Sequence, residues 1–321
     1  MRVLLTGATG FIGGALLRRC VSDQPWQLRA SVRRPFLGMP AGVESVLVAD
    51  LAPDTNWAQA VGQVDVIVHA AGRGHQMRDL SADPLAEYRR VNVTATLNLA
   101  RQAVAAGVRS FIFLSSIKVN GETTLPGQPF TSDNRPAPAD PYGISKHEAE
   151  LGLRQLTEET GLEVVIIRPV LVYGPGVKGN FLSIMRRLHQ GVPLPLGAIT
   201  ANKRSLVAVE NLVDLIVSCL QHPLAANQTF LVSDGEDLST TALLRRTAAA
   251  LGCPARLIPV PAPVLGLGAR LLGKAGFAQR LCGSLQVDIG KTRQLLGWAP
   301  PMSVTDALEL TAHHFLANRQ G

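Results

Sequence analysis

Along the first half of the chain, short and nearly continuous apolar runs alternate with longer stretches whose apolar positions recur at helical spacing. RVLLTG (2–7), QLRASV (27–32), SVLVAD (45–50), DVIVHAAG (65–72), SFIFLSS (110–116) and VVIIRPV (164–170) read as strands. FIGGALLRRCV (11–21), a long pattern from about residue 83 to 106, and PYGISKHEAELGLRQL from residue 141 read as helices between them. A strand that is apolar at successive rather than alternate positions is buried on both faces. Such strands separated by helices predict an α/β fold built on a doubly wound parallel sheet.

The pattern loosens after Arg168, where Gly and Pro cluster in RPVLVYGPGVKGN and QGVPLPLGA. NLVDLIVSCLQ reads as a helix and TFLVS as a short strand, both returning to the main sheet. From Ser239 the chain reads as mostly helical, with one short strand near 256–260. The expected organisation is a large domain over residues 1–169, rejoined by 206–232. A smaller, mostly helical lobe over 170–205 and 233–321 would cover its cleft. PAPVLGLGARLLGKAGFAQRL (261–281) is apolar and slightly basic; a helix packed within that lobe is the favoured reading and a membrane-surface helix the alternative.

Composition narrows the classes. With 321 residues, 46% apolar and 17% charged, the chain can bury a large core and is not a disordered segment. No apolar run reaches the roughly 18 residues of a membrane span. The N-terminus opens on a strand and a glycine loop rather than a signal peptide, so a cytoplasmic location is expected. The net charge of +7 points to anionic partners. Sparse aromatics and the lack of a Lys/Arg block argue against nucleic acid, leaving phosphorylated small molecules or an anionic surface. Cys20, Cys219, Cys253 and Cys282 are too far apart for a zinc site or a redox dithiol and read as free thiols. No His/Asp/Glu cluster has metal-ligand spacing, so no metal is expected.

TGATGFIGG places Gly7, Gly10 and Gly13 between a strand and a helix. In that context the first glycine permits a tight turn, the second lets backbone approach a pyrophosphate, and the third lets helix pack on strand. The helix N-terminus then faces the phosphates with free N–H groups. This predicts a Rossmann-type dinucleotide site. An acid at the end of the second strand would bind the adenosine ribose of NAD, but the sequence there is RASVRRP. Arg33 and Arg34 suit a 2′-phosphate instead, which favours NADP(H), with NAD(H) the alternative.

Tyr142 and Lys146 lie four residues apart in a helical pattern and so share a face. A phenol titrates near 10, and an ammonium beside it would lower that value and make Tyr142 an acid–base group. Ser116, at the end of the fifth strand, can reach the same cleft and hydrogen-bond a carbonyl or alkoxide oxygen.

GATGFIG, HAAG (69–72), LSSIKVNGE (114–122) and PYGISK (141–146) together resemble the extended short-chain dehydrogenase/reductase family, over nearly the whole chain. The resemblance implies that Ser116, Tyr142 and Lys146 are catalytic. It implies cofactor contacts from Phe11, Ile12, Asp50, Leu51, Ala70, Ala71, Gly72, Asn92 and Pro169, beside the glycines and arginines above. Asn180 and Arg204 would meet the diphosphate of a UDP-sugar, with His75 and Lys118 near the sugar. RGHQMRD (73–79), SSIKVNGE and RLCGSLQVDIGKTRQLLGW (280–298) resemble more narrowly the bacterial 4-ketoreductases that form UDP-N-acetylquinovosamine or its fucosamine epimer for surface polysaccharide. UDP-sugar 4-epimerases are close to that group and stand as the alternative activity, with a non-catalytic nucleotide-binding module as a third. Two departures, Asn120 where the family usually has Tyr and Ser205 after Arg204, bear on the sugar rather than on the core chemistry. Pairing of two long helices into a four-helix dimer contact is common in that family, so the resemblance implies a homodimer.

Overall fold

The computed structural model describes residues 1–23, 26–75, 81–271, 279 and 281–318. The apolar runs form β1 (Arg2–Thr6), β2 (Gln27–Val32), β3 (Glu44–Leu47), β4 (Val66–His69), β5 (Ser110–Leu114) and β6 (Glu163–Pro169). β7 (Leu171–Tyr173), β8 (Arg204–Ala208), β9 (Thr229–Val232) and β10 (Asp237–Leu238) follow. Seven strands make one parallel sheet in the order β3-β2-β1-β4-β5-β6-β9. The winding reverses between β1 and β4, and in such sheets a crevice opens there at the carboxyl ends of the strands.

Successive residues of each central strand serve opposite faces. Val3, Leu5, Val68, Ile112 and Ile167 face one buried cluster, which includes α1 (Phe11–Asp23). Leu4, Ile67, Phe111, Phe113 and Ile166 face another, under α2 (Ala58–Val61) and the helices that follow. Each such side chain contributes about 1.5–3 kcal/mol on burial, so exposing either face is costly. The long helical pattern becomes α3 (Pro84–Tyr88), a π-helical turn (Arg89–Thr94) and α4 (Ala95–Ala105). α5 (Pro141–Thr160) starts at an Asp140 cap with Pro141 in its first turn and stops at Gly161, whose φ is +76°.

The Gly/Pro stretch is more ordered than its sequence indicates. β7 and β8 pair in parallel, and β10 adds to β8 antiparallel, giving a second, three-stranded sheet. That sheet packs with α6 (Gly179–His189), α8 (Thr240–Ala250) and the terminal helix Val304–Ala317 around a third core cluster. Between them α7 (Val209–Gln221) lies on the first cluster and β9 joins the main sheet beside β6. The strand expected near 256–260 is not formed; that segment makes one bridge, Leu194 to Leu257, with backbone hydrogen bonds between Leu194 and both Arg256 and Ile258 and from Gly197 to Ile258. Of the apolar stretch 261–281, α9 (Ala262–Leu271) is described. Leu265 packs against the third cluster while Val264 and Leu267 are exposed. Residues 272–278 and 280 lie outside the described residues. No described helix is long and apolar enough to cross a membrane.

Candidate active site

The glycine loop is built by close approach. Gly7 turns the chain with φ +73°. Thr6 lies opposite His69 in the sheet, so the turn runs beside Ala70 and Ala71. A Cβ on Gly7 would stand 2.7 Å from the Ala71 nitrogen, and one on Gly13 only 2.1 Å from the Gly7 oxygen. Neither position can carry a side chain without moving backbone, and the first turn of α1 is thereby held at the crevice with its amides facing outward. The Thr6 hydroxyl bonds His69 Nδ1 at 2.8 Å and accepts the Ala71 amide at 3.2 Å. His69 is fully buried, and burial together with the Lys146 charge holds it down to about 3. It is a neutral packing residue.

Two adjoining cavities run from this loop. The larger, about 1000 Å³, is lined by Gly7, Gly10, Arg33, Arg34, Asp50, Leu51, Ala70, Ala71 and Gly72. The smaller, about 250 Å³, shares Ala70–Gly72 and is lined also by Ile12, Ser116, Tyr142, Lys146 and Pro169. Phe11 lines neither and packs between the first and third core clusters. Gly13 acts from behind the loop. Arg33 is paired with Asp50 at 3.0 Å on an open rim, where each side chain is more than three-quarters exposed (77% and 78%). Asn92 comes from the π-helical turn, a feature frequent at functional sites. Its Oδ1 accepts the Arg73 amide at 2.8 Å, and its Nδ2 donates to the Arg73 carbonyl and the Ser145 hydroxyl, both at 3.1 Å. It fixes the backbone that joins the two cavities. The groove, with its side-chain-free glycine cradle, fits a dinucleotide.

In the smaller cavity, Tyr142 stands in the first turn of α5, half-buried, and lines the wall with Ser116. Ser116 lies two residues beyond the end of β5, where its Oγ accepts the Lys118 amide at 3.3 Å. The expectation that Lys146 lowers the Tyr142 phenol is not met. Burial pushes Tyr142 up to about 12, against the Ser116 hydrogen bond and with the Asp140 charge raising it further. Lys146 turns instead to the Leu114 carbonyl at 2.8 Å and over the Phe113 ring at 4.4 Å. Burial lowers its ammonium to about 8, with the Glu150 charge opposing. Helical spacing put the two side chains on one face but could not show where the ammonium would find its acceptor.

His75 and Lys118 meet through Asp140, which sequence reading passed over. Its own position carried the signal: an Asp directly before a Pro at a helix start is an N-cap. The His75 ring also lies edge-on to Tyr142, with centroids 6.0 Å apart, and Tyr88 makes a similar contact at 5.8 Å. Asn180 is exposed in the first turn of α6. Arg204, half-buried at the start of β8, donates to the Gly283 carbonyl at 3.3 Å. Neither residue lines the two cavities. Behind the site, Arg168 forks onto Glu150 at 2.9 and 2.5 Å, and the Ser115 hydroxyl donates to the same carboxylate at 2.5 Å. Among the described residues no group of His, Cys, Asp or Glu could hold a metal.

Residues 3–233 match the model of the NAD dependent epimerase/dehydratase family. The chain is 48% identical over 314 residues to the UDP-glucose 4-epimerase of Vibrio cholerae, covering 98% of this chain and 95% of that protein. Among solved structures it resembles the UDP-glucuronic acid 4-epimerase from Bacillus cereus in complex with NAD, with a TM-score of 0.80 at 19% identity, over 100% of this chain and 98% of the other. RMD from Pseudomonas aeruginosa complexed with NADPH gives a TM-score of 0.74 at 22% identity, over 98% and 99%. At those identities the two structures speak for the fold.

Proposed function

The chain belongs to the NAD dependent epimerase/dehydratase family, and from that premise we propose that it inverts C4 of a UDP-sugar through a transient ketone, as a UDP-sugar 4-epimerase. The observation that carries this reading is the meeting of Ser116, Tyr142 and Lys146 in a cavity that adjoins the groove from the glycine loop. The Vibrio cholerae relative supports the epimerase form. In this reading residues 1–169 with 206–232 hold the dinucleotide, and 170–205 with 233–321 cover the UDP-sugar. Gly7, Gly10, Ile12, Ala70, Ala71, Gly72 and Pro169 would hold the cofactor along the groove, with Arg33, Arg34, Asp50 and Leu51 at its adenosine end. When bound, the dinucleotide supplies the hydride acceptor and donor. Tyr142 exchanges the proton of the sugar's O4, Ser116 hydrogen-bonds that oxygen, and Lys146 brings positive charge to the same wall.

A second reading is a 4-ketoreductase forming UDP-N-acetylquinovosamine or UDP-N-acetylfucosamine. One observation favours it. Arg33 and Arg34 stand where an NAD-binding acid is usual, which suits NADPH.

The test denatures the purified protein, identifies the nucleotide it releases, and follows two reactions by NMR. Stoichiometric NAD with interconversion of UDP-glucose or UDP-N-acetylglucosamine and its C4 epimer is the expected result. NADPH oxidation by a UDP-4-keto-6-deoxy-N-acetylhexosamine, giving one C4 alcohol without epimerisation, overturns the epimerase form in favour of the reductase. If no UDP-sugar is changed, both fail.

A further inference from the structure

One carboxylate joins the three segments that carry the candidate reacting groups. Asp140 Oδ1 caps α5, accepting the Gly143 amide at 2.7 Å just beyond Tyr142. Its Oδ2 accepts the Lys118 ammonium from the turn that begins at Ser116, and faces His75 Nε2 at 3.4 Å from the loop after β4. The junction is tight. A Cβ on Gly143 would lie 2.8 Å from the Lys118 carbonyl oxygen. The Asp140 side chain is 17% exposed and its carboxyl is held well below the usual range. Burial works to raise it, but hydrogen bonds from His75, Lys118 and the Gly143 amide, with the Lys118 charge, outweigh that.

We propose that Asp140 is the positioning residue of this site: it fixes Tyr142 against Ser116 and cancels the Lys118 charge beside them. The inference rests on the reading of Tyr142 as the proton-transfer group. The groups around Tyr142 are Asp140 and Lys146 from its own helix, Lys118 and Glu122 from the turn after β5, His75 from the loop after β4, and Tyr88 from α3. Lys146 is committed to the Leu114 carbonyl, and Glu122 bonds Lys118 at 3.0 Å. With Asp140 charged, the Lys118 charge is paired, and Tyr142 is held beside Ser116 where it can exchange its proton with a C4 oxygen.

The separating variant is Asp140→Asn. Asparagine caps a helix as well as aspartate does, so the fold is kept while the charge is lost. Removing that negative charge, which raises Tyr142, and leaving the Lys118 ammonium with Glu122 alone both favour phenolate, so the Tyr142 titration moves down. The chain has three tyrosines, so NMR of isotope-labelled tyrosine, assigned with Tyr142→Phe, follows each one. The expected result is a midpoint about one unit or more below wild type in Asp140→Asn. Turnover falls about tenfold or more, with KM changed by less than about threefold. Asp140→Asn with Lys118→Met removes both charges, and the midpoint returns toward wild type. An unmoved midpoint in Asp140→Asn overturns the proposal, as does turnover at the wild-type rate in both Asp140→Asn and Asp140→Ala. The titration needs no sugar, so it decides the role of Asp140 even if the protein turns over no UDP-sugar, the result that would sink the functional reading instead.

Discussion

Replacing Tyr142 with Phe is expected to lower kcat on a UDP-sugar by about 10²–10⁴-fold, the range that a positioned proton-transfer group contributes. KM should change little, because the ring stays in place against His75 and Tyr88 and only the hydroxyl is lost. Nucleotide release from the denatured variant should match wild type, since the glycine cradle lies at the other end of the groove. The pH profile carries a second check. Burial pushes Tyr142 up and lowers the Lys146 ammonium to about 8, so the alkaline loss of activity is expected to follow Lys146. Below that value Lys146 is charged and the site is complete; as pH rises through it, the charge and the activity go together. Turnover of Tyr142→Phe within about tenfold of wild type would remove Tyr142 from the chemistry.

The chemistry was legible where it rests on spacing along one element. Gly7, Gly10 and Gly13 follow a strand and open a helix, and Tyr142 and Lys146 sit one turn apart on α5. Geometry that a single helix or a strand-to-helix turn dictates needs no knowledge of the rest of the molecule. Environment does need it. The upward shift of Tyr142 arises from burial, and the turn of Lys146 toward Leu114 from a carbonyl more than thirty residues away, 32 by number. The Asp–Pro order at Asp140 carried a cap signal that sequence reading passed over, and the grip of Asp140 on His75 and Lys118 depends on two loops brought together by the order of β1, β4 and β5. β7, with three residues, has too little length for a periodic signal, and its pairing with β8 crosses more than thirty residues of chain. The Gly and Pro around it mark turns and hide the strands between them.

Glu150→Ala should be the most destabilising single change at the site. Glu150 is 1% and Arg168 2% exposed, and breaking such a buried pair from one side costs about 3–5 kcal/mol, because a guanidinium is left without its counter-charge. Urea unfolding measures the loss; a change below about 1 kcal/mol would mean that water reaches Arg168. Removing both charges separates stability from function. Glu150→Leu with Arg168→Met replaces the pair by apolar groups of similar bulk, and such replacements are often neutral or stabilising. The double variant should therefore regain most of the lost stability. Its activity should not follow. Ser115 would lose the acceptor of its 2.5 Å hydrogen bond next to Ser116, and Lys146 would lose the one charge that raises its ammonium. The sign is fixed: without Glu150, Lys146 falls below about 8, and the alkaline limb of the pH profile moves to lower pH. A double variant as stable as wild type, with that limb displaced downward, would place Glu150 in the electrostatics of Lys146. An unmoved limb would leave it as packing alone.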